Sequence, residues 1–128
     1  MKIYNTFTEK KESVNLAQKI GIYVCGITPY DTTHLGHAFT FIVYDTLIRY
    51  LKFQGADVTY VQNVTDIDDD ILIRSHAVGT TWKKLGLPET SKHLKNMDTL
   101  NTARPDHYPK ATENIDDMIK IIKILITK

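Results

Sequence analysis

Hydrophobic and polar positions change their period along the chain, and each change predicts an element. Ile3, Tyr4 and Phe7 precede a charged run from Glu9 to Glu12, which suits a short strand or hairpin at the start. Residues 21–26 read Gly-Ile-Tyr-Val-Cys-Gly. That short, β-branched apolar run bounded by glycines predicts a buried strand. A turn-rich segment follows, Ile27 to His37. Pro29 biases Thr28 away from helical angles, and Asp31, Thr32 or Thr33 is placed to cap a helix. Phe41, Tyr44, Leu47, Ile48 and Leu51 then recur every three or four residues, predicting an amphipathic helix over 35–54. Arg49 and Lys52 suit the negative end of its dipole, and Gly55 suits its stop. Residues 57–63, Asp-Val-Thr-Tyr-Val-Gln-Asn, predict a second strand.

Beyond it, Thr65 to Asp70 opens a second helix that reaches Ala77 and stops near Gly79. Its acidic cluster lies at the favourable, positive end of the dipole. A third helical stretch covers 90–100, and a loop with Pro105 and Pro109 covers 101–109. A last helix covers 112–126. Ile115, Met118, Ile119, Ile122 and Ile126 lie on one side, with Ile121 and Ile124 elsewhere. Such a helix belongs in an interior. Strand, helix of about 20 residues and strand form a βαβ unit, which is right-handed with parallel strands. Parallel sheets need cover on both faces and usually more than two strands. The second strand would be a bare edge. The expectation is therefore an α/β fold in which residues 1–128 are the first half of a larger domain. A self-sufficient small α/β protein is the alternative.

Composition changes this picture little. The 128 residues carry 16 Lys+Arg against 15 Asp+Glu, a formal charge of +1, with 42% apolar and 24% charged residues. This excludes wholesale disorder and gives no electrostatic mark of a nucleic-acid binder. One cysteine excludes an internal disulfide framework and favours a reducing compartment such as the cytoplasm. No apolar run approaches the roughly 20 residues of a membrane span, and the first residues hold no signal-peptide core.

The sharpest candidate chemistry is His34-Leu35-Gly36-His37. Two imidazoles three positions apart share a helix face. In a first turn they adjoin unpaired N–H groups and the positive end of the dipole, a place suited to phosphate. Gly36 lets a planar group approach the backbone. A surface coincidence or a helix cap explains two histidines equally well on spacing alone.

In this context the segment resembles the HIGH signature of class I aminoacyl-tRNA synthetases. Tyr23 to Thr28, Tyr30-Asp31, and Tyr60 to Asp69 narrow the resemblance to the cysteinyl-tRNA synthetase family. Arg104-Pro105-Asp106 and Pro109 to Thr112 resemble further blocks of that family, so the likeness runs in register over nearly the whole chain. The fold it implies is the first βαβ half of a Rossmann-like (HUP-type) nucleotide-binding domain, incomplete here. The activity it implies joins cysteine to ATP, with Mg²⁺, giving cysteinyl-adenylate and pyrophosphate, then transfers the cysteinyl group to cysteine tRNA.

The resemblance assigns roles. His34 and His37 would be catalytic, steadying charge on the transferring phosphate. Thr28, Tyr30, Asp31, His34, Gly36 and His37 would surround ATP. Cys25, Gly26, Thr28 and Thr65 would meet the cysteine substrate. Cys25 would also be one of four Zn²⁺ ligands, the others lying outside these residues; a soft metal separates a thiol from an alcohol where shape cannot. Buried packing is the other reading of Cys25, and an N-cap the other reading of Thr65. Asp66, Asp68, Asp69 and Asp70 read as a cap and a solvated acidic face before a Mg²⁺ site. His76, His93 and His107 match no ligand position and are expected at the surface.

Some positions depart from the family. Asp70 stands where it often has lysine, and Phe39 where it often has a basic residue. Residues 28–38 are closer to a sister enzyme, the mycothiol-pathway ligase, which gives activated cysteine to a glucosaminyl-inositol amine. No KMSKS-type loop and no anticodon-reading helices fall within these residues. A fragment of that ligase and a non-catalytic nucleotide-binding remnant therefore remain alternatives.

Overall fold

The computed structural model describes residues 1–14 and 19–128. Its centre is a parallel pair, β3 (Lys19–Ile27) and β4 (Asp57–Val64), joined through helix α1 (Leu35–Phe53). Before it comes an antiparallel hairpin, β1 (Lys2–Asn5) and β2 (Lys10–Ser13); the first strand lies where expected, and the charged run expected to follow the hairpin supplies its second strand. After it come α2 (Asp69–Ala77), α3 (Trp82–Thr99), a 3₁₀ turn (Ala111–Glu113) and α4 (Ile115–Ile126).

Alternation along each strand decides which face is buried. Val24 and Ile27 on β3, and Val58 and Tyr60 on β4, face a core with Phe41, Ile48 and Leu51 of α1 and Met97 of α3, and Val64 at the end of β4 is buried as well. Each fully buried aliphatic side chain contributes about 1.5–3 kcal/mol. Leu47 packs partly against this core, whereas Tyr44 is exposed. Gly55, at φ 86°, ends α1 in the left-handed region, and the Ala56 N–H reaches back to the Leu51 carbonyl. The opposite sheet face is open among the described residues: Tyr23 is 64% exposed.

Two expectations are corrected. First, β4 is no bare edge. Residues 106–110 run parallel beside it, bridging Val61 to His107 and Val64 to Lys110. The Gln62 and Val64 N–H groups donate to the carbonyls of His107 (3.1 Å) and Pro109 (2.9 Å). The Tyr60 N–H donates to the Asp106 carboxylate at 2.7 Å. Second, α3 begins at Trp82, eight residues before the predicted start. Gly86 and Pro88 look like breakers in sequence. Gly86 is instead a point of close approach: a Cβ there would lie 3.1 Å from Ile71 and 3.5 Å from Pro29. Pro88 and Lys84 are both exposed, so the carbonyl that Pro88 leaves without a donor meets water.

The last helix forms as predicted, but its apolar residues are not buried among the described residues: Ile121 is 57% and Leu125 63% exposed. Among those residues no helix is long and apolar enough to cross a membrane.

Candidate functional site

The site begins where β3 departs from regular pairing. Val24 is opposite Gln62 and Ile27 opposite Val64, so Cys25 and Gly26 together face Asn63. This is a β-bulge, a device that re-aims side chains at a sheet end. Only glycine fits there. The Gly26 N–H donates to Asn63 Oδ1 at 2.8 Å, and a Cβ on Gly26 would lie 1.5 Å from the Asn63 carbonyl oxygen. Cys25, beside it, is exposed among the described residues.

The chain then turns through a loop anchored by buried Pro29. The Tyr30 N–H donates to the Thr28 carbonyl at 3.0 Å, and the Thr32 N–H to the Asp31 carboxylate at 2.7 Å. None of Asp31, Thr32 and Thr33 caps α1; His34 does. An imidazole nitrogen accepts as a cap oxygen does, and the chain reaches extended angles at His34 itself (φ −112°, ψ 173°). The Gly36 N–H donates to His34 Nδ1 at 3.1 Å, and the His34 N–H makes a long bond of 3.4 Å to His37 Nδ1. The two rings stack with centroids 4.0 Å apart.

This geometry sets the available chemistry. With both Nδ1 atoms accepting from the backbone, each neutral ring carries its proton on Nε2. Burial, and then the neighbouring His34, hold His37 below the usual histidine pKa. The pair therefore offers two ring N–H donors at a helix N-terminus, where an anion is favoured. A Cβ on Gly36 would come within 2.9 Å of the His34 ring, so a side chain there would push the capping ring aside.

Gly26, Thr28, Tyr30, Asp31, His34 and His37 come together around one open cleft of about 400 Å³, with Ile27, Thr32 and Asp70 completing its wall. Gly36, Cys25 and Thr65 are not on that wall. Thr65 lies at the same end of the sheet, its N–H donating to the Ile27 carbonyl at 3.0 Å and its hydroxyl accepting from Asn63 Nδ2 at 3.3 Å. It is not the cap of α2; Asp68 is, accepting from the Ile71 N–H at 2.9 Å. Asp66 has another task. Its carboxylate accepts from the Thr112 N–H (3.0 Å) and hydroxyl (2.6 Å), clamping the 110–112 segment to the end of β4. Asp69 and Asp70 are exposed in the first turn of α2. Among the described residues no three His, Cys, Asp or Glu side chains converge to hold a metal ion. One thiol does not make a zinc site, since a catalytic zinc takes about three protein ligands.

His76 and His107 are exposed as expected, but His93 is not: it is 1% exposed. Its Nδ1 lies 3.2 Å from Thr33 Oγ1, and its ring meets Phe41 edge-on at 5.1 Å. Burial, and then the nearby His37, push its pKa down to about 4. A histidine within a helix whose start was misplaced gave no sequence signal of this contact.

A parallel βαβ unit with a histidine-capped helix and a cleft at the carboxyl ends of its strands defines part of a nucleotide-binding α/β domain. Residues 11–128 match the family described as tRNA synthetases class I (C) catalytic domain, and the chain belongs to that family. Its fold is accordingly a partial Rossmann-like one. The chain is 44% identical to a cysteine–tRNA ligase of Thermodesulfovibrio yellowstonii, over 100% of its own length and 27% of that protein. It is 50% identical to the cysteine–tRNA ligase of Blochmanniella pennsylvanica, over 100% of its length and 28% of that protein. For the ligase of Pasteurella multocida the values are 43%, 100% and 28%. The chain thus spans about a quarter of the length of the curated relatives it matches.

Proposed function

We propose that residues 1–128 form the first part of the catalytic domain of a cysteine–tRNA ligase, and that the histidine-lined cleft receives the phosphates of ATP. The observation that carries this reading is the stacked His34–His37 pair on that cleft, with both ring N–H groups left for a ligand. The complete enzyme would form cysteinyl-adenylate from cysteine and ATP, release pyrophosphate, and pass the cysteinyl group to cysteine tRNA in the cytoplasm. The carboxylate of the substrate attacks, so no protein nucleophile is required. Thr28, Tyr30, Asp31 and Gly36 would surround the nucleotide. Gly26, Thr28, Cys25 and Thr65, around the bulge, would face cysteine.

The cleft wall carries Asp31 and Asp70 and no Lys or Arg. A triphosphate there needs cations from elsewhere, Mg²⁺ and basic side chains of the remaining domain. Exposed Cys25 is the chain's one thiol donor towards a zinc ion; the ion would take the substrate sulfur and exclude an alcohol. The apolar faces left open on β3, α1 and α4, Phe39 at 72% exposed among them, suit cover by the rest of a larger domain.

The test is to titrate this chain with ATP and follow its backbone amides and histidine rings by NMR. Half of a site should bind weakly, with Kd on the order of 1 mM or more. Shifts are expected at Gly26, Thr28, Gly36 and His37 and in the His34 and His37 rings, with the β1–β2 hairpin unmoved. No change over 26–37 at 10-fold higher ATP, or changes centred on Trp82 and Lys83 instead, would overturn the assignment.

A further inference from the structure

We propose that His93 is a positioning residue that holds the turn before α1 and thereby keeps His34 and His37 stacked and aimed into the cleft; this rests on reading the cleft as the phosphate site. Helix α3 touches the loop at both ends with a single face. Gly86 lies against Pro29 at the start of the loop. His93, two helical turns further on, contacts Thr33 at its end. Thr33 immediately precedes His34, whose ring nitrogen caps α1. The other contact of His93 is Phe41, which lies one turn beyond His37 on the same face of α1. One buried imidazole thus grips both the residue before the histidine pair and the helix turn after it.

Burial alone does not require histidine here. An apolar ring would fill the space and meet Phe41 as well. What histidine adds is the Nδ1 contact to Thr33 Oγ1, which selects one setting of a loop that would otherwise sample several. That contact spans 60 residues of sequence, so α3 is the backstop against which the first turn of α1 is set.

Two substitutions separate this role from packing. Thr33→Val keeps the branched shape and removes the hydroxyl. His93→Phe keeps the aromatic contact with Phe41 and removes the nitrogen. In this chain, each variant and the double variant should lose at least half of the cross-relaxation between the His34 and His37 rings. Thr33→Val should do so with its Tm within a few degrees of the parent, and the double variant should be no worse than the worse single one. In the complete ligase, each should lower kcat for cysteine-dependent pyrophosphate exchange by about tenfold while the KM for cysteine stays unchanged. An intact ring pair in Thr33→Val overturns the proposal, and that variant decides alone if His93→Phe does not fold. If the complete parent protein shows no such exchange, the ligase reading falls, while the ring-pair measurement on this chain still decides the role of His93.

Discussion

Replacing His34 or His37 with alanine in the complete ligase is expected to slow cysteine-dependent pyrophosphate exchange by about 100- to 1,000-fold, with little change in KM for cysteine. On the proposed reading each ring would present a preset N–H donor where negative charge builds on the phosphate, and losing one such donor costs about 3–4 kcal/mol at the transition state. The loss should fall on kcat, because neither histidine is among the residues proposed to face cysteine. The double variant should cost less than the product of the two single effects. Each ring orders the other, through the 4.0 Å stack and the His34 N–H to His37 Nδ1 bond, and coupled groups do not add. Both residues also cap α1, so a control must separate capping from chemistry. His34→Asn supplies one: asparagine is a strong N-cap but has no imidazole. Its helix should be intact and its exchange rate as low as that of His34→Ala. A near-normal rate in His34→Asn would reduce the pair to a helix cap.

The second large effect concerns folding. Gly26→Ala should destabilise the chain by about 3 kcal/mol, at the upper end for an overpacked site, and lower Tm by roughly 10 °C. The new Cβ would sit 1.5 Å from the Asn63 carbonyl oxygen, so a strand must move. Asn63 has no room to yield cheaply: it is backbone inside the β3–β4 ladder, and its side chain already accepts from the Gly26 N–H. Displacing the bulge would also shift Cys25 and Thr28, the residues on either side of the turn into the cleft. Thermal melts of the parent and Gly26→Ala chains check the stability. An unchanged Tm would show that the β3–β4 pairing at Asn63 is looser than described.

The parts of this fold that could be read in sequence are those with strong local signals. The β-branched apolar run bounded by glycines in β3, the run 57–63 in β4, the period of 3.6 in α1, and Gly55 at its end placed the βαβ unit within a residue or two of its observed bounds. The misses were non-local. Residues 106–110 follow Pro105 and contain Pro109, two features that argue against a strand. They pair with β4 because the Asp106 carboxylate and the carbonyls of His107 and Pro109 meet its outward N–H groups, and the Asp106 N–H donates back to the Tyr60 carbonyl at 2.8 Å. The start of α3 was hidden by Gly86 and Pro88: the helix-breaking tendency of Gly86 is overridden by tertiary packing against Pro29 and Ile71, and Pro88 sits where the helix is exposed to water. A cap was one reading of the histidine pair, but the sequence did not single out His34, because the usual cap residues Asp31, Thr32 and Thr33 stood just before it. The cleft residues from Gly26 to His37 were legible because they are contiguous in sequence. His93 was not, because its partner Thr33 is distant in sequence and nothing local marks the contact.

The most direct measurement is exchange of labelled pyrophosphate into ATP, with cysteine and with serine, by this chain alone and by the complete protein that carries it. The account predicts cysteine-dependent exchange by the complete protein on the order of 1 s⁻¹ or faster, rejection of serine, and no comparable turnover by residues 1–128, whose cleft has histidine donors but no Lys or Arg for the phosphates. A complete protein that binds ATP yet shows no cysteine-dependent exchange would contradict it, as would full turnover by the 128-residue chain by itself.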